Sequence, residues 1–292
     1  MIYAVENEQL RIKVDSMGAE LRSVVDKKTG LEYMWSGDPT YWVAVSPVLF
    51  PFIGVLQDGV YRYEGKEYEM TRHGFAKRTE FVCSAQEENA LWFALEDTES
   101  TRAEYPFAFR FEAGYVLEGR TIQIKWRVFN HNEKEMYFAV GGHPGFACPP
   151  AYQDGKRTEC SLLFDKKDSI VSELVNSSGL VSGQKKEFKL ENGKLPITTG
   201  LFDIDTILLE DKQVSCISLC DRDDRPYLTV KFDAPTVAIW SVKPDEGSYV
   251  CIEPWYGRCD DSGYKGTLEE RPWGMKLAPN GSFEAGYEIS LA

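Results

Sequence analysis

From Thr121 to Val128 the chain alternates without a break. Ile122, Ile124, Trp126 and Val128 are apolar, and Gln123, Lys125 and Arg127 between them are polar. On a helix these apolar residues would scatter around the axis; on a strand they share one face, so the segment reads as a half-buried β-strand. Leu10–Val14 repeats the pattern on a shorter scale. Val60–Tyr63 and Glu67–Met70 flank a Glu64-Gly65-Lys66 turn, and Phe109–Tyr115 is joined to the 121–128 strand through Glu118-Gly119-Arg120. Both read as hairpins. Further strands are expected near 80–84, 91–95, 136–140, 206–210, 227–232, 236–241, 249–253 and 283–291. Helix signals are sparse: Ser100–Tyr105 can make one turn before Pro106 ends it. The more polar Gly155–Asn192 region reads as longer surface excursions. No linker or internal repeat divides residues 1–292, so the expectation is one all-β domain, a large antiparallel sandwich with few short helices.

Bulk properties narrow the partners. The 292 residues carry a formal net charge of −13, so neither nucleic acid nor an anionic membrane surface is an expected partner. The seven cysteines are scattered without a C-x-x-C pair, which argues for reduced thiols in a cytosolic protein and against structural zinc. The N-terminus shows neither the basic nor the apolar stretch of a signal peptide, and no apolar run reaches the roughly 18 residues of a membrane helix.

There are only three histidines, and two have unusual settings. His143 lies in Gly141-Gly142-His143-Pro144-Gly145-Phe146. Four Gly/Pro residues around an imidazole forbid helix and make a central strand unlikely, so the segment reads as a tight turn that lets backbone approach a ligand closely. His73 lies in Thr71-Arg72-His73-Gly74-Phe75, where Arg72 and Phe75 suit a polar ligand with an apolar face. His131, in Phe129–Glu133, reads as an ordinary turn residue. Glu253 follows an apolar strand-like run and precedes Pro254-Trp255. Apolar surroundings would raise its pKa and suit a general base, whereas a rim carboxylate paired with Arg258 or Lys265 is the plainer alternative. Trp255 reads either as core or as an apolar wall for a sugar ring. Nucleotide-binding, serine-hydrolase and histidine-metal spacings are absent, so no cofactor and no metal are expected.

Four segments in order resemble the aldose 1-epimerase (galactose mutarotase) family, in particular its short LacX-like branch. They are Arg72-His73-Gly74-Phe75, Gly142-His143-Pro144-Gly145-Phe146, Phe202-Asp203-Ile204-Asp205-Thr206 and Ile252-Glu253-Pro254-Trp255; Gly18–Leu21 and Phe50–Gly54 fit as well. The resemblance covers roughly residues 2–290. It implies an antiparallel β-supersandwich and a cofactor-free interconversion of the α and β anomers of an aldose. On that pattern Glu253 is the general base at the C1 hydroxyl and His143 the general acid at the ring oxygen. The two should face each other across a pyranose-wide gap, on opposite sides of C1. His73 hydrogen-bonds the sugar, Asp205 (with Asp203 as rival) binds a sugar hydroxyl, and Arg72, Phe146 and Trp255 complete the binding set. The implied partner is a small sugar, an aldohexose or its phosphate. One departure is Val55, where family members commonly carry a sugar-binding arginine; Arg72 and Arg78 are the cations near enough in sequence to fill the space. A hexose-6-phosphate 1-epimerase, with Lys77 and Arg78 contributing, and a non-catalytic carbohydrate-binding protein are the competing readings.

Overall fold

Two large antiparallel sheets dominate the computed structural model, which describes every residue except Pro244. The nine-stranded sheet runs, in spatial order, Lys194–Pro196, Ser161–Phe164, Cys216–Cys220, Pro226–Phe232, Ser282–Leu291, Thr121–Asn130, Phe109–Glu118, Ala90–Glu96 and Val82–Gln86. The eight-stranded sheet runs Val181–Lys189, Ser169–Val175, Thr206–Leu209, Thr236–Trp240, Tyr249–Tyr256, Val140–Gly142 and Val48–Leu49, with Gly145–Ala147 also paired to Tyr249–Tyr256. A three-stranded sheet, Ile2–Glu6, Leu10–Asp15 and Glu20–Asp26, and two hairpin-sized sheets complete the all-β sandwich.

The alternating strand occupies the middle of the nine-stranded sheet. Thr121–Asn130 pairs with Phe109–Glu118 on one side and Ser282–Leu291 on the other, setting Ile122 opposite Leu117 and Ile289. Its apolar face is buried in the hydrophobic core. Phe50, just after Val48–Leu49, stacks on Phe111 with centroids 4.6 Å apart, and Phe138 meets Phe283 edge-on at 5.5 Å. Each of the buried rings Phe50, Phe111 and Phe138 contributes about 1.5–3 kcal/mol of transfer free energy. The expected helix forms as Glu99–Glu104. Thr98 caps it, its hydroxyl accepting from the Thr101 amide at 3.2 Å while the Thr98 amide donates to Thr101 Oγ1 at 2.7 Å.

Two expectations need correction. The Gly155–Asn192 region is not mainly surface excursion: it contains Ser161–Phe164, Ser169–Val175 and Val181–Lys189. The last is a sheet edge whose residues from Ser182 to Glu187 are all exposed, so its sequence is polar for the same reason that it resists edge-to-edge pairing. The Gly141–Phe146 segment is also not a turn outside the sheet. Val140–Gly142 lies between Tyr249–Tyr256 and Val48–Leu49, and only His143-Pro144 interrupts the pairing before Gly145–Ala147 resumes it. Glycine is needed there for approach rather than turning. A Cβ on Gly145 would sit 2.9 Å from the Trp42 ring. Ser161–Phe164 escapes sequence reading because its continuous apolar run, Leu162-Leu163-Phe164, does not alternate.

Candidate active site

Antiparallel register places the two principal candidates side by side. Gly141 pairs with Trp255 and Gly145 with Cys251, so His143 falls opposite Glu253. Cross-strand neighbours of this kind have Cβ atoms roughly 5 Å apart. His143 Nε2 lies 3.2 Å from Glu253 Oε2. The contact is not a well-directed hydrogen bond: Glu253 Oε2 and His143 Nδ1 are both buried without a hydrogen-bond partner. The pyranose-wide separation expected from sequence is therefore corrected to direct contact. Both groups share one face of one sheet.

The pair forms the floor of a cavity of about 340 Å³, within the range of small-ligand pockets. Glu253 is 1% exposed and His143 8%. Burial pushes the Glu253 carboxyl well above its ordinary range; the negative charge of Asp205 adds to this, and the Trp255 indole opposes it weakly. Burial also drives His143 down to about 3, reinforced by the positive charges of Lys77 and Arg72. Both groups therefore favour their neutral forms.

The other walls come from loops. His73 sits at φ 68, a strained backbone conformation for a residue with a side chain. It is clamped to Gly54: its amide donates to the Gly54 carbonyl at 2.9 Å, and its Nδ1 accepts from the Gly54 amide at 3.1 Å. Burial, His143, Lys77 and Arg72 hold His73 well below its usual pKa. Its proton accordingly resides on Nε2, the remaining ring nitrogen. Asp205, also at positive φ (73), ends the turn Leu201–Ile204 and accepts from Trp240 Nε1 at 3.2 Å. Asp203 is exposed on that turn and does not line the cavity. Trp255 lines it with its indole N–H unpartnered. Arg72 and Lys77 line it too, whereas Arg78 pairs with Glu104 at 2.5 Å and stays outside. Phe146 is fully buried in the apolar core and does not reach the cavity, because strand alternation turns it away from the face that carries His143. His131 is exposed.

Sequence reading missed Trp42 and Trp240. Trp42 stacks against His143 at 4.8 Å, and Trp240 meets the same imidazole edge-on at 5.5 Å. Trp42 lies in an irregular loop with no periodic pattern to place it; its aromatic neighbours Trp35 and Tyr41 are the only local signal. His143, Cys251 and Glu253 each offer one potential ligand atom, all within 4.8 Å of one another, so the same donors could hold a thiophilic divalent ion. A larger groove of about 770 Å³ crosses the outer face of the nine-stranded sheet beside Lys125, Lys231 and Glu284, and none of the three histidines reaches it.

The sequence matches the profile of the aldose 1-epimerase family over residues 1–287. The chain belongs to the aldose 1-epimerase family. Protein LacX (chromosomal) of Lactococcus lactis subsp. lactis is 30% identical over 300 residues, covering 100% of this chain and 99% of its own. A galactose mutarotase related enzyme from Lactobacillus acidophilus has 31% identity and a TM-score of 0.94, covering 100% of this chain and 97% of its own. A galactose mutarotase-like protein from Lactobacillus casei has 26% identity and a TM-score of 0.92, with both chains covered fully. In this aldose 1-epimerase family member, Val55 lines the cavity between the His73 loop and Gly179. Among the described residues no helix is long and apolar enough to cross a membrane.

Proposed function

We propose that the protein interconverts the α and β anomers of an aldohexose by acid–base ring opening at Glu253 and His143. The observation that carries this reading is the 3.2 Å contact between His143 Nε2 and Glu253 Oε2, two buried groups that both favour their neutral forms. Passage of the Glu253 carboxyl proton across the contact converts the neutral pair into carboxylate and imidazolium. Burial makes that carboxylate a stronger base and that imidazolium a stronger acid than either is in water.

The reaction uses both. Glu253 takes the proton of the C1 hydroxyl while His143 delivers its proton to the ring oxygen. The bond from C1 to the ring oxygen breaks, and a carbonyl forms at C1. Rotation about C1–C2 and closure with the transfers reversed give either anomer. No net charge or proton is consumed, and opening leaves the pair neutral, the state its surroundings favour. Both oxygens are bonded to C1, so an acid and a base side by side on one sheet face suit them. The His73 Nε2 proton and the Trp255 indole N–H are free donors for sugar oxygens, and Asp205 is an acceptor for a hydroxyl. Buried polar atoms without protein partners favour a polar ligand over an apolar one.

The test is anomer exchange followed by polarimetry or NMR on freshly dissolved sugar. Wild type should accelerate it, and Glu253→Gln or His143→Ala should slow the enzymatic rate by about 10²-fold or more. Saturable sugar binding without acceleration would replace the enzyme reading with a carbohydrate-binding one.

A further inference from the structure

Arg157 is 1% exposed and lies outside the cavity. Burying a guanidinium is costly unless its donors are used. Arg258, buried as well, is matched by carboxylates, Glu210 at 2.5 Å and Asp261 at 2.8 Å. Arg157 has one carboxylate, Asp245 at 3.2 Å, and turns the rest of its fork on a single piece of chain. Its Nη1 donates to Ser241 Oγ and to the Gly247 carbonyl at 3.0 Å. Its Nη2 donates to the Val242 carbonyl at 2.7 Å and the Lys243 carbonyl at 3.3 Å. All of these acceptors lie in the connection between Thr236–Trp240 and Tyr249–Tyr256, which Ser241 also closes on itself by donating to the Tyr249 carbonyl at 2.7 Å.

The same side chain grips a second segment. Arg157 stands in the turn Arg157–Glu159, which leads into Ser161–Phe164 of the nine-stranded sheet, and its guanidinium carbon lies 5.3 Å from the centre of the Phe202 ring. Phe202 is buried in the turn Leu201–Ile204, which ends at Asp205. Arg157 therefore holds the chain just after Trp240 and the chain just before Asp205. Those two residues line the cavity, and the Trp240 indole donates to Asp205 Oδ1 at 3.2 Å. Asp205 has a φ of 73, a conformation that persists in a residue with a side chain only where its surroundings enforce it. The surroundings that do so here are Trp240 in front and the Arg157–Phe202 contact behind.

We propose that Arg157 is a positioning residue of the sugar site: it fixes the Trp240–Asp205 wall from outside the cavity and through that wall sets the affinity for the sugar. The proposal rests on the reading in which Asp205 accepts a sugar hydroxyl. His143 and Glu253 are placed by strand register, to which Arg157 contributes nothing. Trp240 ends a strand and Asp205 ends a turn, so each borders irregular chain whose position depends on side-chain contacts. Losing the clamp should accordingly appear in KM more than in kcat. Lysine is no substitute. Its ammonium concentrates three donors at one point, without the planar fork that reaches acceptors across the connection while its face rests on Phe202.

The experiment measures anomer exchange of freshly dissolved α-glucose by wild type, Arg157→Lys, Asp205→Asn and the double variant, each below its melting transition. Arg157→Lys should raise KM about tenfold while kcat falls by less than about threefold. KM of the double variant should lie within about twofold of the worse single variant, because two changes that act through one hydroxyl contact do not multiply. A merely structural arginine would lower the melting temperature and leave KM at its wild-type value. That result, or KM effects that multiply in the double variant, overturns the proposal. Phe202→Leu and Ser241→Ala each loosen one end of the clamp and decide the question where Arg157→Lys does not fold: a raised KM in either supports the proposal, and an unchanged KM in both overturns it. Should wild type accelerate no sugar, the anomer-exchange reading fails on its own, and the Kd of glucose by calorimetry replaces KM in the same comparison. Weaker binding by Arg157→Lys then supports the clamp, and equal binding overturns it.

Discussion

Asp26 and Glu253 are two carboxylates almost equally closed to solvent, 2% and 1% exposed, at two corners of the same molecule. They titrate in opposite directions. Burial pushes Asp26 up, but Arg120 donates to it at 2.5 Å and the amides of Lys28 and Thr29 at 2.8 and 2.9 Å, and together they hold it at about 2. Glu253 has no hydrogen bond on Oε2, the charge that acts on it is that of another carboxylate, Asp205, and its pKa rises. Burial alone therefore does not decide what a carboxyl group does. Partners turn one into a fixed strut at the end of Glu20–Asp26, and their absence leaves the other reactive.

The largest expected contrast is in the response to removing each charge. Asp26→Asn should destabilise the fold by about 2 kcal/mol at pH 7, because a native pKa of about 2 against an ordinary 3.8 is worth that much by linkage. Its activity at 25 °C should stay within about twofold of wild type, since Asp26 does not line the cavity. Glu253→Gln should do the reverse, losing activity while leaving the melting temperature equal or higher. The pH dependence carries the sign. Asp26's contribution is present above pH 3.8 and is lost as pH falls towards 2. Glu253, with a raised native pKa, binds more protons folded than unfolded from about pH 4.5 upward. Wild-type stability should therefore fall as pH rises through that window, and the Gln variant should lack that fall. Thermal unfolding between pH 4 and 9 checks both signs, and a Glu253→Gln variant that is less stable at every pH would break the comparison.

The rate profile should show the same division. The working pair needs one shared proton. It gains a second only when His143 protonates near pH 3 and loses the first only when Glu253 ionises. With an uncharged sugar, enzymatic kcat/KM should show no break near the ordinary histidine value of about 6.5. A clear inflection at that value would mean that His143 is solvated in solution and that the pair does not share its proton in this way.

Much of the architecture is legible in sequence because alternation is a local property. Ile122, Ile124, Trp126 and Val128 announce their strand without reference to any partner. The eight-stranded sheet is less legible because function breaks its pattern. Glycines stand where tryptophans press in, a glutamate takes an inward position, and His143-Pro144 interrupts a strand that the register nevertheless continues. His73, His143 and Glu253 stand out by composition and context, and Asp205 by resemblance. Their distances do not, since the contact between His143 and Glu253 is set by a pairing register across about 110 residues of chain. Trp42 and Trp240 have no local signature. Their meeting at His143 is a consequence of where one loop and one strand end converge.

The smallest expected effect moves Glu253 part of the way towards Asp26. Asp205 is the neighbouring charge that raises Glu253, and its backbone φ of 73 and its hydrogen bond from Trp240 fix it in the wall. Asp205→Asn removes the charge and can keep the indole contact through the amide oxygen. The Glu253 carboxylate then forms more easily, so its pKa falls. The pair loses its shared proton at a lower pH, and the alkaline limb of kcat/KM should shift down by less than about one unit, as expected for a single charge acting through a partly solvated pocket. KM should rise as well, because a hydroxyl acceptor is weakened. The two effects separate: the KM change reports on the sugar, and the limb shift reports on the carboxyl. An alkaline limb that stays in place or moves up would remove Asp205 from the electrostatics of the pair and leave burial alone to explain why this carboxyl differs from the one at Asp26.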